Sequence, residues 1–160
     1  MSENAQKEVK EEYFDYENIR TMCHNMELIA RSEKEINSLQ NDLDSAISKI
    51  KENEGFLAEL QSSILNRIKY GRKYNEYITT FKKDIAYYSE SKEIIEKALA
   101  KQMDWLQSLK ADHDEELAKT HVPKEYLTYE YLKIFDGYLE EHGTMTFKQC
   151  LALYEAEHLK

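Results

Sequence analysis

The side chains best suited to chemistry lie between Arg67 and Lys83, where Arg67, Lys69, Arg72, Lys73, Lys82 and Lys83 are interleaved with Tyr70, Tyr74, Tyr77 and Phe81. Guanidinium and ammonium groups neutralise phosphate oxygens and aromatic rings stack on bases, so such a belt can hold nucleic acid or an anionic membrane. It can equally pair with an acidic stretch of a neighbouring protein, or form ion pairs within its own chain. Residues 1–66 carry 14 acids and 7 bases, residues 67–83 one acid and 6 bases, and residues 84–160 carry 16 acids and 9 bases. The belt is therefore +5 between flanks of −7 each. Those flanks repel nucleic acid, and the expectation is ion pairing within the chain or with a protein partner.

Two other constellations are weaker. Glu155 and His158 form one ExxH, the spacing that puts a carboxylate and an imidazole on one helix face in carboxylate-bridged metal sites. Such sites need a second ExxH, and the chain has no second copy. The run Asp112-His113-Asp114-Glu115-Glu116 is acidic, but adjacent residues of a helix do not face one another, so it reads as a solvated face. Neither GxGxxG, GxxxxGK[ST] nor a nucleophile elbow occurs. The sequence thus predicts no catalytic residue, no cofactor and no metal site.

Whatever the belt does, long helices must position it. Apolar residues recur every seven positions at Met22, Ile29, Ile36, Leu43, Ile50, Leu57, Ile64, Ile78, Ile85, Leu99 and Leu106, broken only by Gly71 and Lys92. A second seam three positions later contains Leu39, Leu60, Phe81, Ile95 and Leu109, with polar Asn25, Asn53 and Arg67 among them. This is the pattern of a coiled coil. One proline and four glycines in 160 residues leave few breakers, and the class is all-α.

Residues 18–119 read as the coiled-coil region, as one continuous helix or as an antiparallel hairpin turning at Gly55 or Gly71. The seam keeps its phase through both glycines, and neither has the cluster of turn residues expected beside it, which favours the continuous helix. Such a helix cannot bury its seam alone, so a homodimer is expected. Trp105, beside Leu106, is either a seam-edge residue or an anchor for a partner.

Residues 1–17 read as a flexible polar tail whose aromatic end, Tyr13, Phe14 and Tyr16, docks on the first helical turns. Residues 120–160 read as a two-helix module: Pro123 ends the long helix, a helix follows from Lys124 to Glu141, and Gly143 closes it. Thr146 and Gln149 then make a capping box, with Met145 and Cys150 as its apolar staple, before a last helix from Phe147 to about His158. Tyr126, Tyr131, Phe135, Tyr138, Phe147 and Tyr154 form an aromatic cluster there that offers a docking surface.

The segment from Gly143 to Glu157, preceded by Tyr138-Leu139, resembles the C-terminal tails of uncharacterised coiled-coil proteins from Firmicutes, with Cys150 where those tails carry alanine. The resemblance covers about 20 residues. It implies a bacterial origin and a helical tail used for interaction or oligomerisation, and it implies no catalytic residue.

Cys23 and Cys150 lie far apart without a CxxC pair, which predicts free thiols in a reducing compartment. No stretch has the apolar length of a membrane span, and the opening polar run lacks a leader's apolar region, so a cytoplasmic protein is expected. The sequence therefore predicts a non-enzymatic coiled-coil adaptor that oligomerises and binds a protein partner. The alternative is an acidic helical inhibitor or decoy that occupies the basic groove of a nucleic-acid-binding protein.

Overall fold

The structure, a computed structural model, describes residues 13–158. The polar part of the expected tail, residues 1–12, lies outside the described residues. Among those described there are five α-helices: α1 (Tyr16–Gln61), α2 (Ile64–Tyr70), α3 (Lys73–Lys119), α4 (Tyr129–His142) and α5 (Phe147–His158), with one 3-10 turn at Lys124–Tyr126. The all-α class stands. The continuous helix does not: the chain breaks at Ser62-Ser63 and again at Gly71-Arg72, and α1 and α3 pack against each other.

The breaks have local causes. The Ser62 hydroxyl donates to the Glu59 carbonyl at 2.7 Å, an alternative to the next helical bond, and Ser63 takes extended geometry (φ −140°, ψ 132°). Its hydroxyl then accepts the Leu65 amide at 3.1 Å and caps α2. Gly71 ends α2 at φ 54°, ψ −126°, a region that a side chain disfavours. Gly55, the other expected turn, lies inside α1. Each arm carries its own repeat of seven to face the other, so a phase that continues across the bend does not require an unbroken helix.

The chain forms two compact units, each containing a length of α1 and a length of α3. In the first, Ser32–Trp105, the Ser32 hydroxyl donates to Gln102 Oε1 at 3.0 Å and sets the register. Steps of seven in opposite directions from that pair bring Leu39 level with Ile95, Ala46 with Tyr88, Asn53 with Phe81, and Leu60 with Tyr74. Buried Ala46 thus leaves room for an aromatic ring. Asn53, also buried, turns its amide back to the Lys49 carbonyl of its own helix at 2.8 Å. Lys92 pairs with Glu96 at the surface, 3.6 Å away.

The seam drawn from the sequence as an oligomer interface is therefore used within the chain. Ile36, Leu39, Leu43, Ile50, Leu57, Leu60, Ile78, Phe81, Ile85, Ile95 and Leu99 are each half-buried in the pair of helices. Ile64 is the exception: it is 81% exposed on α2 and belongs to no seam. The physical argument that required a second chain falls with the continuous helix.

The second unit joins the start of α1 and the end of α3 to the C-terminal helices. Phe14, Ile19, Met22 and Cys23 are buried together with Val122, Leu132, Phe135, Leu139, Met145 and Cys150. Seam residue Leu109 is also buried there, and Ile29 and Leu106 are half-buried. The Phe14 amide donates to the Met145 carbonyl at 3.0 Å, and its ring lies 5.9 Å from both Phe135 and Phe147. The aromatic end of the tail thus meets the C-terminal helices as well as the first turns of α1, where Phe14 shares a cluster with Ile19 and Met22 and Tyr16 meets Arg20. Asn18 Nδ2 donates to the Glu116 carbonyl at 2.9 Å and to its carboxylate at 2.8 Å, tying α1 to α3.

The C-terminal signals behave as read, with one shift. Gly143 closes α4 at φ 81°, and Thr146 and Gln149 exchange the two bonds of a capping box at 3.0 and 3.2 Å. The helix expected from Lys124 begins only at Tyr129, because Thr128 is extended and its hydroxyl accepts the Tyr131 amide; Lys124–Tyr126 is the separate 3-10 turn.

A chain bent at Gly71 with Gly55 inside a helix responds oppositely to the same substitution at the two sites. Open space surrounds both positions. Gly55→Ala is expected to stabilise by roughly 0.5–1 kcal/mol, and Gly71→Ala to destabilise by about 1–3 kcal/mol, read from urea unfolding. Stabilisation by both would mean that the helix runs through Gly71.

Candidate functional site

At the bend, α2 presents an apolar face that none of the described residues covers. Ser63 starts the helix and Gly71 ends it, and none of its seven residues is buried. Ile64, Leu65 and Ile68 are 81%, 72% and 74% exposed, where burial would remove most of each side chain from water. Arg67, Lys69, Arg72 and Lys73, the basic residues singled out in the sequence, are all exposed around this face. The Arg67 guanidinium sits 5.9 Å from the Tyr74 ring centre and the Lys69 ammonium 5.4 Å from that of Tyr70.

The opposite side of α2 is anchored. Asn66 Nδ2 donates to the Glu59 carbonyl at 3.0 Å, and the Tyr70 ring meets Tyr77 edge-on at 5.6 Å. Between α2 and the helix pair lies an open cleft of about 370 Å³ lined by Phe56, Glu59, Leu60, Asn66, Tyr70, Tyr77 and Phe81. The single aromatic stripe expected from Tyr70 to Phe81 is therefore split: Tyr70 belongs to α2, Tyr74, Tyr77 and Phe81 to α3, and the bend folds Tyr70 back on Tyr77.

The other candidates divide. Trp105 is 52% exposed on α3, and Met103 beside it is 55% exposed, so Trp105 is not the buried seam-edge residue. The C-terminal aromatics do cluster: Tyr126 lies 4.9 Å from Tyr131 and 5.0 Å from Phe147, and Tyr131 lies 5.3 Å from Tyr154. But Phe135 is 0% exposed and Tyr138 6%, and the cluster packs on Phe14. Phe135 and Tyr138 are thus core residues of the second unit, while Tyr126, Tyr131, Phe147 and Tyr154 are half-buried around them. The Tyr138 hydroxyl donates to the Glu157 carboxylate at 2.6 Å, and burial with that bond pushes its ionisation well above the usual phenol range.

The titratable groups read as structural. His158 stacks on Tyr154 at 4.3 Å and its Nδ1 lies 3.0 Å from the Tyr154 carbonyl, so the ExxH imidazole is engaged by its own helix. In the acidic run His113 and Glu116 turn partly inward, Glu116 to meet Asn18, and burial lowers the His113 pKa against the pull of Asp114 and Glu116. Glu27 accepts the Tyr129 hydroxyl at 2.7 Å and faces Lys133 at 3.5 Å, and the Tyr129 bond first, then Lys133, lowers its pKa. Among the described residues, no group of three or more His, Cys, Asp or Glu could hold a metal ion, and no helix is long and apolar enough to cross a membrane.

Leu65 and Ile68 were not found by counting seam positions, because neither is in phase with the seam. The signal was present as three aliphatic residues within five positions, directly before the basic belt and directly after two serines. No known protein family matches the chain, nor does any curated protein or solved structure.

Cys23 and Cys150 are free and buried, and desolvation pushes both thiols to about 11, with the Asp136 carboxylate adding to the effect at Cys23. In native protein at neutral pH neither is expected to react with a thiol reagent on the timescale of a free cysteine, and both should react together on unfolding. Rapid modification of either thiol in the folded chain would contradict the packing of the second unit.

Proposed function

We propose that the chain is a cytoplasmic, non-enzymatic adaptor whose contacts are made by apolar side chains left exposed on its helices. The observation that carries this reading is the uncovered face of Ile64, Leu65 and Ile68, each more than 70% exposed on a helix with no buried residue. Exposed apolar groups of this size, gathered in one place and rimmed by charge, mark interaction surfaces. Trp105, 52% exposed on α3, supplies a second contact of the kind that anchors protein partners. The acidic-decoy alternative has less support: exposed pairs such as Lys49–Glu52 and Lys97–Glu93 mix both signs along the helices, where a decoy needs carboxylates alone on one face.

The adaptor is tested by photo-crosslinkers placed at Leu65, at exposed Lys101, one turn before Trp105, and, as a control, at exposed Ser38, in cells that make the protein. Discrete adducts at Leu65, with protein or lipid, and at Lys101, with protein, and none at Ser38 are expected, the Lys101 adduct disappearing with Trp105→Ala. Equal labelling at all three sites would contradict the proposal.

Pairing of two chains is a second reading, favoured by a different observation. Within Ser32–Trp105, Ala46 is the only buried hydrophobic residue, and the Ile and Leu of the seam stay half-covered. A second pair of helices would cover them. Light scattering over a dilution series should then give twice 19.0 kDa, while 19.0 kDa at all concentrations would remove this reading.

A further inference from the structure

We propose that the bend docks on an anionic lipid bilayer, with α2 lying in the headgroup region and Ile64, Leu65 and Ile68 inserted beneath it. The inference rests on the adaptor reading and names the chemistry that covers its uncovered face.

The shape of the face comes first. Ile64 and Ile68 are four residues apart and Leu65 three before Ile68, so all three share one side of a short helix. They project outward at 72–81% exposure, and the cleft of the bend is lined by other residues. A protein pocket would have to be shaped around such a projection, whereas a bilayer interior accepts it without shape matching.

The rim of the face points the same way. Arg67 and Lys69 sit one residue to either side of Ile68, and Arg72 and Lys73 follow at the turn. Their long aliphatic stems allow the charged ends to remain at headgroup phosphates while the isoleucines and leucine go deeper. Tyr70 and Tyr77, 37% and 39% exposed, are amphipathic rings of the type that settles at a membrane interface.

Charge selects the occupant and orients the molecule. The belt that begins at Arg67 is +5, while residues 1–66 and 84–160 are each −7, so an anionic surface attracts the bend and repels the rest of the chain. A second copy placed bend to bend would bring two cationic rims together. Nucleic acid would satisfy the cations but leave the three aliphatic side chains in water.

The test uses the full chain in co-sedimentation with vesicles of phosphatidylserine in phosphatidylcholine, or of phosphatidylcholine alone, at physiological salt. Binding to the anionic vesicles and little to the neutral ones is expected. The variant Ile64→Ser/Leu65→Ser/Ile68→Ser should lose binding. The variant Arg67→Gln/Lys69→Gln/Arg72→Gln/Lys73→Gln should weaken it by roughly two to three orders of magnitude. Both should keep the parent's circular dichroism and melting behaviour, since the replaced side chains are exposed. Leu65→Trp in a Trp105→Phe background should shift its emission to the blue with anionic vesicles.

No binding to anionic vesicles overturns the proposal. Binding that survives the three serines overturns it too, because the attraction would then be to charge alone. Self-association of the parent that the serines abolish would show that a second copy covers the face. A protein adduct at Leu65 without vesicle binding would leave the adaptor standing and remove the lipid.

Discussion

Everything in this molecule follows from one requirement: a long helix with an apolar seam cannot remain single in water. The seam of α1 extends over dozens of residues, and helices in proteins owe most of their stability to covering such a face. This chain meets the requirement by returning on itself, and the Ser32–Gln102 bond marks the level at which outgoing and returning helices meet. Once the seam is covered from within, the bend becomes a surface in its own right.

The two units meet the same requirement to different degrees. Residues up to Arg31 and from Leu106 onward build a layered core in which Met22, Leu132, Phe135 and Cys150 are completely buried. Fully burying each such side chain contributes on the order of 2 kcal/mol. In Ser32–Trp105 two helices have only each other, and the seam stays half-covered. Stability is therefore concentrated where α1 begins and α3 ends, and local opening should be easiest around the bend. An apolar face at the least constrained part of a fold can adjust to what it meets at low cost.

Much of the fold could be read from the sequence because its signals were local. Gly143, the Thr146–Gln149 box and Pro123 each report on a few neighbouring residues, and each marks a helix end in the structure. The bend was harder to read because periodicity records which face is apolar and not which direction the chain runs; a helix and its antiparallel return share the same repeat of seven. The decisive signal, Ser62-Ser63, lay between the two glycines that drew attention. The candidate site was half legible. Arg67, Lys69, Arg72 and Lys73 stood out by charge, but Ile64 was absorbed into the seam by its phase, and Leu65 and Ile68 were overlooked. Among the C-terminal aromatics, Phe135 and Tyr138 are buried while their neighbours are half-buried, a difference that composition cannot show.

The central claim is that the seam is closed within one chain, and a distance between α1 and α3 tests it most directly. Spin labels at Lys34→Cys and Ala100→Cys, both exposed and level with each other in the Ser32–Gln102 register, would be measured after dilution into unlabelled protein, so that only distances within a chain are read. The helices of a packed pair lie about 8–10 Å apart, so the label distance should fall below about 30 Å. An uninterrupted helix would separate the same labels by roughly 100 Å, and a distance of that order would contradict the account.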